Sequence, residues 1–232
     1  NGLNPADNEA VRQLAQRCAL VKPAFGLYPV DAVLEEMLAM GVDYERDGEA
    51  FSGADGVAWV RDHVDEAFAI GEIGLDGYWV PSQLWPRQEE LFRQLVELAI
   101  EADKPISVHS RKRERRVFDI VVELGAKRVD WHCFSSKVKL GLQIAATEGQ
   151  YLSIPANARK AENFTKLLRE LPRDRVLLET DCPYLAPVRG QVNEPANVAV
   201  TIQLAAELWE CSEEQVVTQL EENFERLYGV AP

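Results

Sequence analysis

Short apolar runs alternate with longer stretches of helical periodicity along the chain. The runs LVKPAFGLY (20–28), EAFAIGEIGL (66–75), PISVHS (105–110), RVDWHCF (128–134), QYLSI (150–154) and RVLLETD (175–181) mix β-branched and other apolar residues. That mixture predicts strands buried on both faces. Between them, Val11, Leu14, Ala15 and Cys18 recur at helical spacing after Asn4-Pro5, an N-cap followed by proline at N1. Leu91, Leu95, Leu98 and Ala102 do the same after Pro86. Val117, Ile120, Val121 and Leu124 form a third stripe, stopped by Gly125. Ser212 with Gln215 spells a capping box for the last helix. The polar segment 43–56 reads as a loop or insertion.

Alternating strands and helices imply a parallel sheet covered by helices. The expected fold is a TIM-type (β/α)8 barrel forming one domain over residues 1–232. Six strands are counted where a closed barrel needs eight. The chain also opens with NGLNPAD, a loop leading into a helix that no strand precedes. Both features predict an N-terminally incomplete barrel, lacking its first βαβ unit. An open, doubly wound six-stranded sheet is the rival; it too places ligands at the carboxyl ends of strands.

The chain has 232 residues and 47% hydrophobic content, enough for a sizeable core. No apolar run is long enough to cross a bilayer, and no membrane partner is expected. Cys18, Cys133, Cys182 and Cys211 are widely spaced with no C-x-x-C pair, which suggests a reducing cytoplasm. A net charge of −13 disfavours non-specific binding to nucleic acid or an anionic membrane, but leaves room for a local basic site.

Four potential metal ligands, two carboxylates and two imidazoles, sit at the ends of four strand-like runs. They are Glu72, His109, His132 and Asp181. Carboxylate and imidazole suit a divalent metal used in hydrolysis, and barrel enzymes collect catalytic groups from several strand ends. Each residue taken alone has a plainer role, as an ion-pair partner or a hydrogen-bonded core histidine. Buried carboxylates need a cation or donors, and that cost favours the metal. His63 lies in a charged helical stretch and reads as a surface residue. Glu179 shares a strand face with Asp181 and is either a supporting group behind the metal or a salt-bridge partner. Asp76 reads as a turn or cap residue, outside the metal set.

The segment 110–116, SRKRERR, places basic residues directly after His109. A solvated helix face is the usual fate of such a run. Cations in a first helical turn oppose the helix dipole, however, and the chain is otherwise acidic. Arg111, Lys112 and Arg113 are therefore substrate-binding candidates, with Lys137, Lys139, Arg159, Lys160 and Arg189 as further rim cations. Tyr78, Trp79 and Trp85 follow the Glu72 strand; Trp79 is the stacking candidate.

GEIGLD (71–76), VHSR (108–111), HCFSS (132–136), ETDCPYLAP (179–187) and NEPANV (193–198) occur in the order and spacing of the TatD family, which the chain resembles from Phe25 to Gly229. The resemblance implies a metal-dependent deoxyribonuclease or related hydrolase on a (β/α)8 barrel. It implies two divalent ions such as Mg, Mn or Zn. Glu72 would bridge them, His109 and His132 would bind one, and Asp181 would bind the other and activate water. Family members carry an H-x-H pair on the first strand, absent here, and often a G-x-H-P-H pattern where this chain has Gly26-Leu27-Tyr28-Pro29-Val30. Tyr28 is thus a candidate for substrate specificity, and Ser136 stands where glycine is common.

The expected function is hydrolysis of DNA or another phosphodiester by metal-activated water, with Asp181 as the catalytic carboxylate. One alternative is a hydrolase of a small phosphoester, amide or lactone. The other is a degenerate, non-enzymatic barrel that binds a partner. The oligomeric state is left open between a monomer and larger assemblies.

Overall fold

The computed structural model describes residues 1–44 and 49–230. They fall into two compact units, Asn1–Ala126 and Lys127–Pro232. The first contains α1 (Pro5–Arg17), β1 (Ala24–Phe25), α2 (Leu34–Ala39), α3 (Gly53–Asp62), β2 (Ala69–Gly74), α4 (Trp85–Glu101), β3 (Ile106–His109) and α5 (Glu114–Leu124). The second contains β4 (Val129–Trp131), α6 (Val138–Ala145), β5 (Gln150–Ile154), α7 (Glu162–Glu170), β6 (Val176–Leu178), α8 (Val198–Trp209) and α9 (Glu213–Tyr228).

In the first unit β1 pairs in parallel with β2, and β2 with β3. All six residues of β2 are buried, including the one charged residue, Glu72, as a strand covered on both faces requires. The β2–β3 register shifts between Ile70 and Ile73, so Gly71 and Glu72 lie in an irregular step of the ladder. Such steps re-aim a side chain beside functional sites. Gly74 follows with φ 150°, and a Cβ there would overlap the carbonyl oxygen of His109. Only glycine tolerates that approach.

The strands are shorter than the apolar runs, and β1 is only Ala24–Phe25. The Gly26 N–H donates to Asn8 Oδ1 at 3.0 Å, and the Gly26 carbonyl accepts from Asn8 Nδ2 at 2.9 Å. These groups point away from β2, which the Pro23 carbonyl faces by accepting from the Phe68 and Ala69 N–H groups, so the Asn8 side chain satisfies the other edge of β1. The same pair orients α1. Its buried residue is Asn8, and Leu14 from the expected apolar stripe is 50% exposed. The stripe on α4 behaves as expected: Leu91, Leu95 and Leu98 are buried, each stabilising by roughly 1.5–3 kcal/mol. In the expected loop 43–56, residues 45–48 lie outside the described residues, and α3 already begins at Gly53.

In the second unit β4, β5 and β6 pair in parallel, in register Trp131↔Leu152 and Ile154↔Leu178. Trp131 is fully buried and its Nε1 donates to Gln150 Oε1 at 2.7 Å, so the indole brings no unpaired polar group into the core. Tyr151, Leu177 and Leu227 bury together, with Phe224 and Tyr228 packed against them. The capping box at Ser212 and Gln215 forms as expected, and α9 ends at Gly229 with φ 75°. Among the described residues no helix is long and apolar enough to cross a membrane.

Candidate metal centre

In the first unit β2 supplies Glu72, β3 ends on His109, and the turn after β2 supplies Asp76. His109 lies between the two carboxylates: Nδ1 is 2.9 Å from Glu72 Oε1, and Nε2 is 2.9 Å from Asp76 Oδ2. Side-chain exposure is 14% for His109, 10% for Glu72 and 0% for Asp76. Burial alone would depress the imidazole pKa. Hydrogen bonds to Asp76 and Glu72 and their negative charges outweigh it, and the pKa is raised. Burial pushes Asp76 up, but the bonds from His109 and from the Trp79 and Tyr78 N–H groups pull it below the ordinary value. The Tyr28 ring meets the His109 ring edge-on at 5.0 Å. Burial first, then the charge of Asp76, pushes the Tyr28 phenol far up, so it stays protonated as a neutral donor.

The second unit repeats the motif. His132 follows β4, and Glu179 and Asp181 follow β6. His132 Nδ1 is 2.7 Å from Glu179 Oε2, and Nε2 is 3.2 Å from Asp181 Oδ1. Asp181 has φ 57°, a left-handed backbone that Asp tolerates better than most residues. Asn193 fixes this turn. Its Nδ2 donates to the carbonyls of Thr180 at 2.7 Å and Tyr184 at 2.6 Å, and its own N–H bonds Pro183 O at 3.0 Å. The NEPANV motif therefore secures the loop that carries Asp181. Burial, with Asp130 and Glu179 nearby, pushes the Tyr228 phenol up.

The structure thus brings Glu72 to His109 and His132 to Asp181. It also adds two carboxylates to these pairs. Asp76 has the turn role read from GLD and a second one, on His109. The period-2 spacing of Glu179 and Asp181 was the sequence signal for the other. His63 is half-buried rather than a plain surface residue, stacked 4.0 Å from Trp59 with Nδ1 2.8 Å from the Trp59 carbonyl.

Among the described residues no three His, Cys, Asp or Glu side chains are arranged to hold a metal ion. The imidazole nitrogens are instead turned onto carboxylates. The donor chemistry nonetheless fits a divalent cation. Each cluster sets two carboxylates against one imidazole, an excess of negative charge in a poorly solvated place. Glu179 Oε1 is buried with no hydrogen-bond partner among the described residues, a lone pair without a donor.

The substrate-binding candidates are placed unequally. Tyr78 and Trp79 are 54% and 37% exposed and meet edge-on at 4.9 Å. The exposed Arg111 lays its guanidinium over them, 3.9 Å from the Tyr78 ring centre. Lys112 is exposed, with φ 62°. Arg113 has other partners: Glu89 at 2.5 Å and the face of Trp85 at 4.1 Å, with 10% exposure. Arg116 shares Glu89 at 2.6 Å, and Arg115 pairs with Asp119 at 3.0 Å. These partners sit on α4 and further along α5, outside the basic run.

Residues 1–229 match the TatD related DNase family. An uncharacterised metal-dependent hydrolase of Methanocaldococcus jannaschii is 38% identical over 159 residues, spanning 68% of this chain and 61% of that protein. The uncharacterised metal-dependent hydrolase YabD of Bacillus subtilis is 32% identical over 231 residues, spanning 94% and 81%. The crystal structure of YjjV, a TatD homologue from Escherichia coli, superposes with a TM-score of 0.81 at 22% identity, covering 98% of this chain and 84% of that one. The fold class is therefore the α/β, TIM-type class of that structure, with three parallel strands in each unit among the described residues. By the extent of the match and the identity to YabD, the chain belongs to the TatD related DNase family.

Proposed function

We propose that the protein is a divalent-metal-dependent hydrolase of phosphodiesters, acting on DNA ends, with Glu72, His109, His132 and Asp181 as metal ligands. The observation that carries this reading is the repeated, buried motif of one imidazole between two carboxylates, at strand ends in each unit, in a TatD-family chain. Bound divalent ions, one or two, would supply Lewis acidity and a nucleophilic water at neutral pH. The chain's own groups do the rest. Asp76 and Glu179 hold the two rings in orientation, as carboxylates behind metal-binding histidines do. Asp181 is the most exposed of the four carboxylates, at 28%, and would take a proton from attacking water. Tyr28 donates from a neutral phenol. Tyr78, Trp79, Arg111 and Lys112 offer rings and charge to bases and phosphates. Four free thiols, at Cys18, Cys133, Cys182 and Cys211, support a reducing, cytoplasmic setting.

A second reading, hydrolysis of a small phosphoester, amide or lactone, has one observation in its favour. Arg113, Arg115 and Arg116 are committed to Glu89 and Asp119, which leaves fewer cations for a polynucleotide. The test is hydrolysis of a DNA oligonucleotide and of a small chromogenic phosphodiester by Mn2+-loaded protein. Cleavage of both, with turnover lost in Asp181→Asn and binding retained, supports the proposal. Cleavage of the small ester alone selects the second reading. Cleavage of neither, by protein shown to hold metal, refutes the phosphodiesterase assignment.

A further inference from the structure

We propose that Asp76 is a positioning residue that holds His109 and the Tyr78–Trp79 turn in one register, tying a metal ligand to the substrate-facing loop. The proposal rests on His109 being a ligand and goes beyond it. Asp76 has no exposed side-chain surface. Its Oδ1 accepts the Tyr78 and Trp79 N–H groups, each at 2.7 Å, and its Oδ2 faces His109 Nε2 at 2.9 Å. A turn-capping aspartate accounts for the first oxygen only. The second oxygen and the complete burial call for another role.

The surroundings fix Asp76 from behind. Its backbone N–H donates to Gln88 Oε1 at 3.1 Å, and Gln88 Nε2 donates to the Pro29 carbonyl at 2.9 Å. Gln88 is 1% exposed, so α4 clamps Asp76 and the segment next to Tyr28 through one amide. Asp76 is thus bonded at both oxygens and held through its backbone N–H as well. A metal-binding imidazole keeps its other N–H on a fixed carboxylate. Asp76 would be that carboxylate, and Nδ1, on the Glu72 side, would be the nitrogen that faces an ion. Because Oδ1 of the same residue holds the Tyr78–Trp79 turn, a shift in the ring is felt at the rim, and the reverse.

Two variants separate the two bonds. In Asp76→Asn the amide oxygen still accepts the turn N–H groups, but the amide nitrogen then faces Nε2 and needs it unprotonated. In Asp76→Ala both links are lost. Mn2+ alone is titrated calorimetrically into wild type and both variants, and the His109 ring nitrogens of the metal-free proteins are read by 15N NMR. Asp76→Asn should bind Mn2+ about 10–100-fold more weakly, with Nε2 deprotonated. Its KM for an oligonucleotide should stay at the wild-type value while kcat falls. Asp76→Ala should also raise KM and expose Trp79 to acrylamide quenching. The isosteric variant keeps the test valid should Asp76→Ala fail to fold. If Asp76→Asn binds Mn2+ as tightly as wild type and keeps the Nε2 proton, the positioning role is refuted. Wild type that takes up no Mn2+ refutes the ligand reading of His109, and this role with it.

Discussion

Asn193 offers a sharp test of how the Asp181 turn is held. Its side chain is buried and makes four hydrogen bonds: to Thr180 O, to Tyr184 O, from the Glu194 N–H at 3.0 Å and from Asn197 Nδ2 at 2.8 Å. Each such bond contributes about 1 kcal/mol net, so Asn193→Ala forfeits about 4 kcal/mol if nothing replaces them. Water can reach part of the loop, since Tyr184 is exposed, and the expected loss is therefore roughly 2–4 kcal/mol. Asn193→Asp should be worse than alanine. It puts a carboxylate oxygen where an N–H2 group now donates to two carbonyls. Urea unfolding with a constant m-value gives the loss, and amide hydrogen exchange in residues 180–185 shows whether the loop opens first. An alanine variant within about 0.5 kcal/mol of wild type, or an aspartate variant no worse than alanine, would refute the clamp.

Acid sensitivity should trace in part to Glu89, whose pKa is lowered chiefly by its bond to Arg116 and then by Arg113. A depressed carboxylate contributes stability above its unfolded pKa, near 4.5, and that contribution fades as pH falls through the lower folded value. Wild type should therefore exceed Glu89→Gln in stability at neutral pH, with the gap closing in acid; a pH-independent gap contradicts this. Gly74→Ala should cost roughly 2–4 kcal/mol or prevent folding, because φ is 150° and the new Cβ meets the His109 carbonyl. Thermal melts decide it. Neutralising Arg111 and Lys112 together should weaken oligonucleotide binding and reduce the salt slope by about 2, with turnover of a small phosphodiester unchanged. An unchanged slope would return the basic run to a solvated face.

The six strands were legible because each is an apolar run buried on both faces. Their ends were not. At β1 the edge away from β2 is satisfied by Asn8, on another element, which takes both polar groups of Gly26. The α1 stripe fails only at Leu14, since Val11, Ala15 and Cys18 are half-buried on the face that carries Asn8. Glu72, His109, His132 and Asp181 could be picked out by residue type and strand-end position. Asp76 was read only as a turn residue, and it is one; its second oxygen faces a strand that starts 30 residues later, which local pattern does not encode. Arg113 looked free because Glu89 lies on another helix, and only the packing of α4 against α5 brings them together. The irregular step at Gly71–Glu72 left no mark in the alternation of apolar residues.

Metal content measured alongside phosphodiester hydrolysis bears most directly on the central claim. Purified protein is stripped with chelator, reloaded with Mn2+ or Zn2+, analysed by elemental mass spectrometry and assayed, in parallel with His109→Ala and His132→Ala. The account expects the stripped protein to be inactive and the reloaded protein active, with less metal and less turnover in each variant while the fold, followed by circular dichroism, is retained. Full hydrolysis by the stripped protein, or variants that keep wild-type metal content, would contradict it.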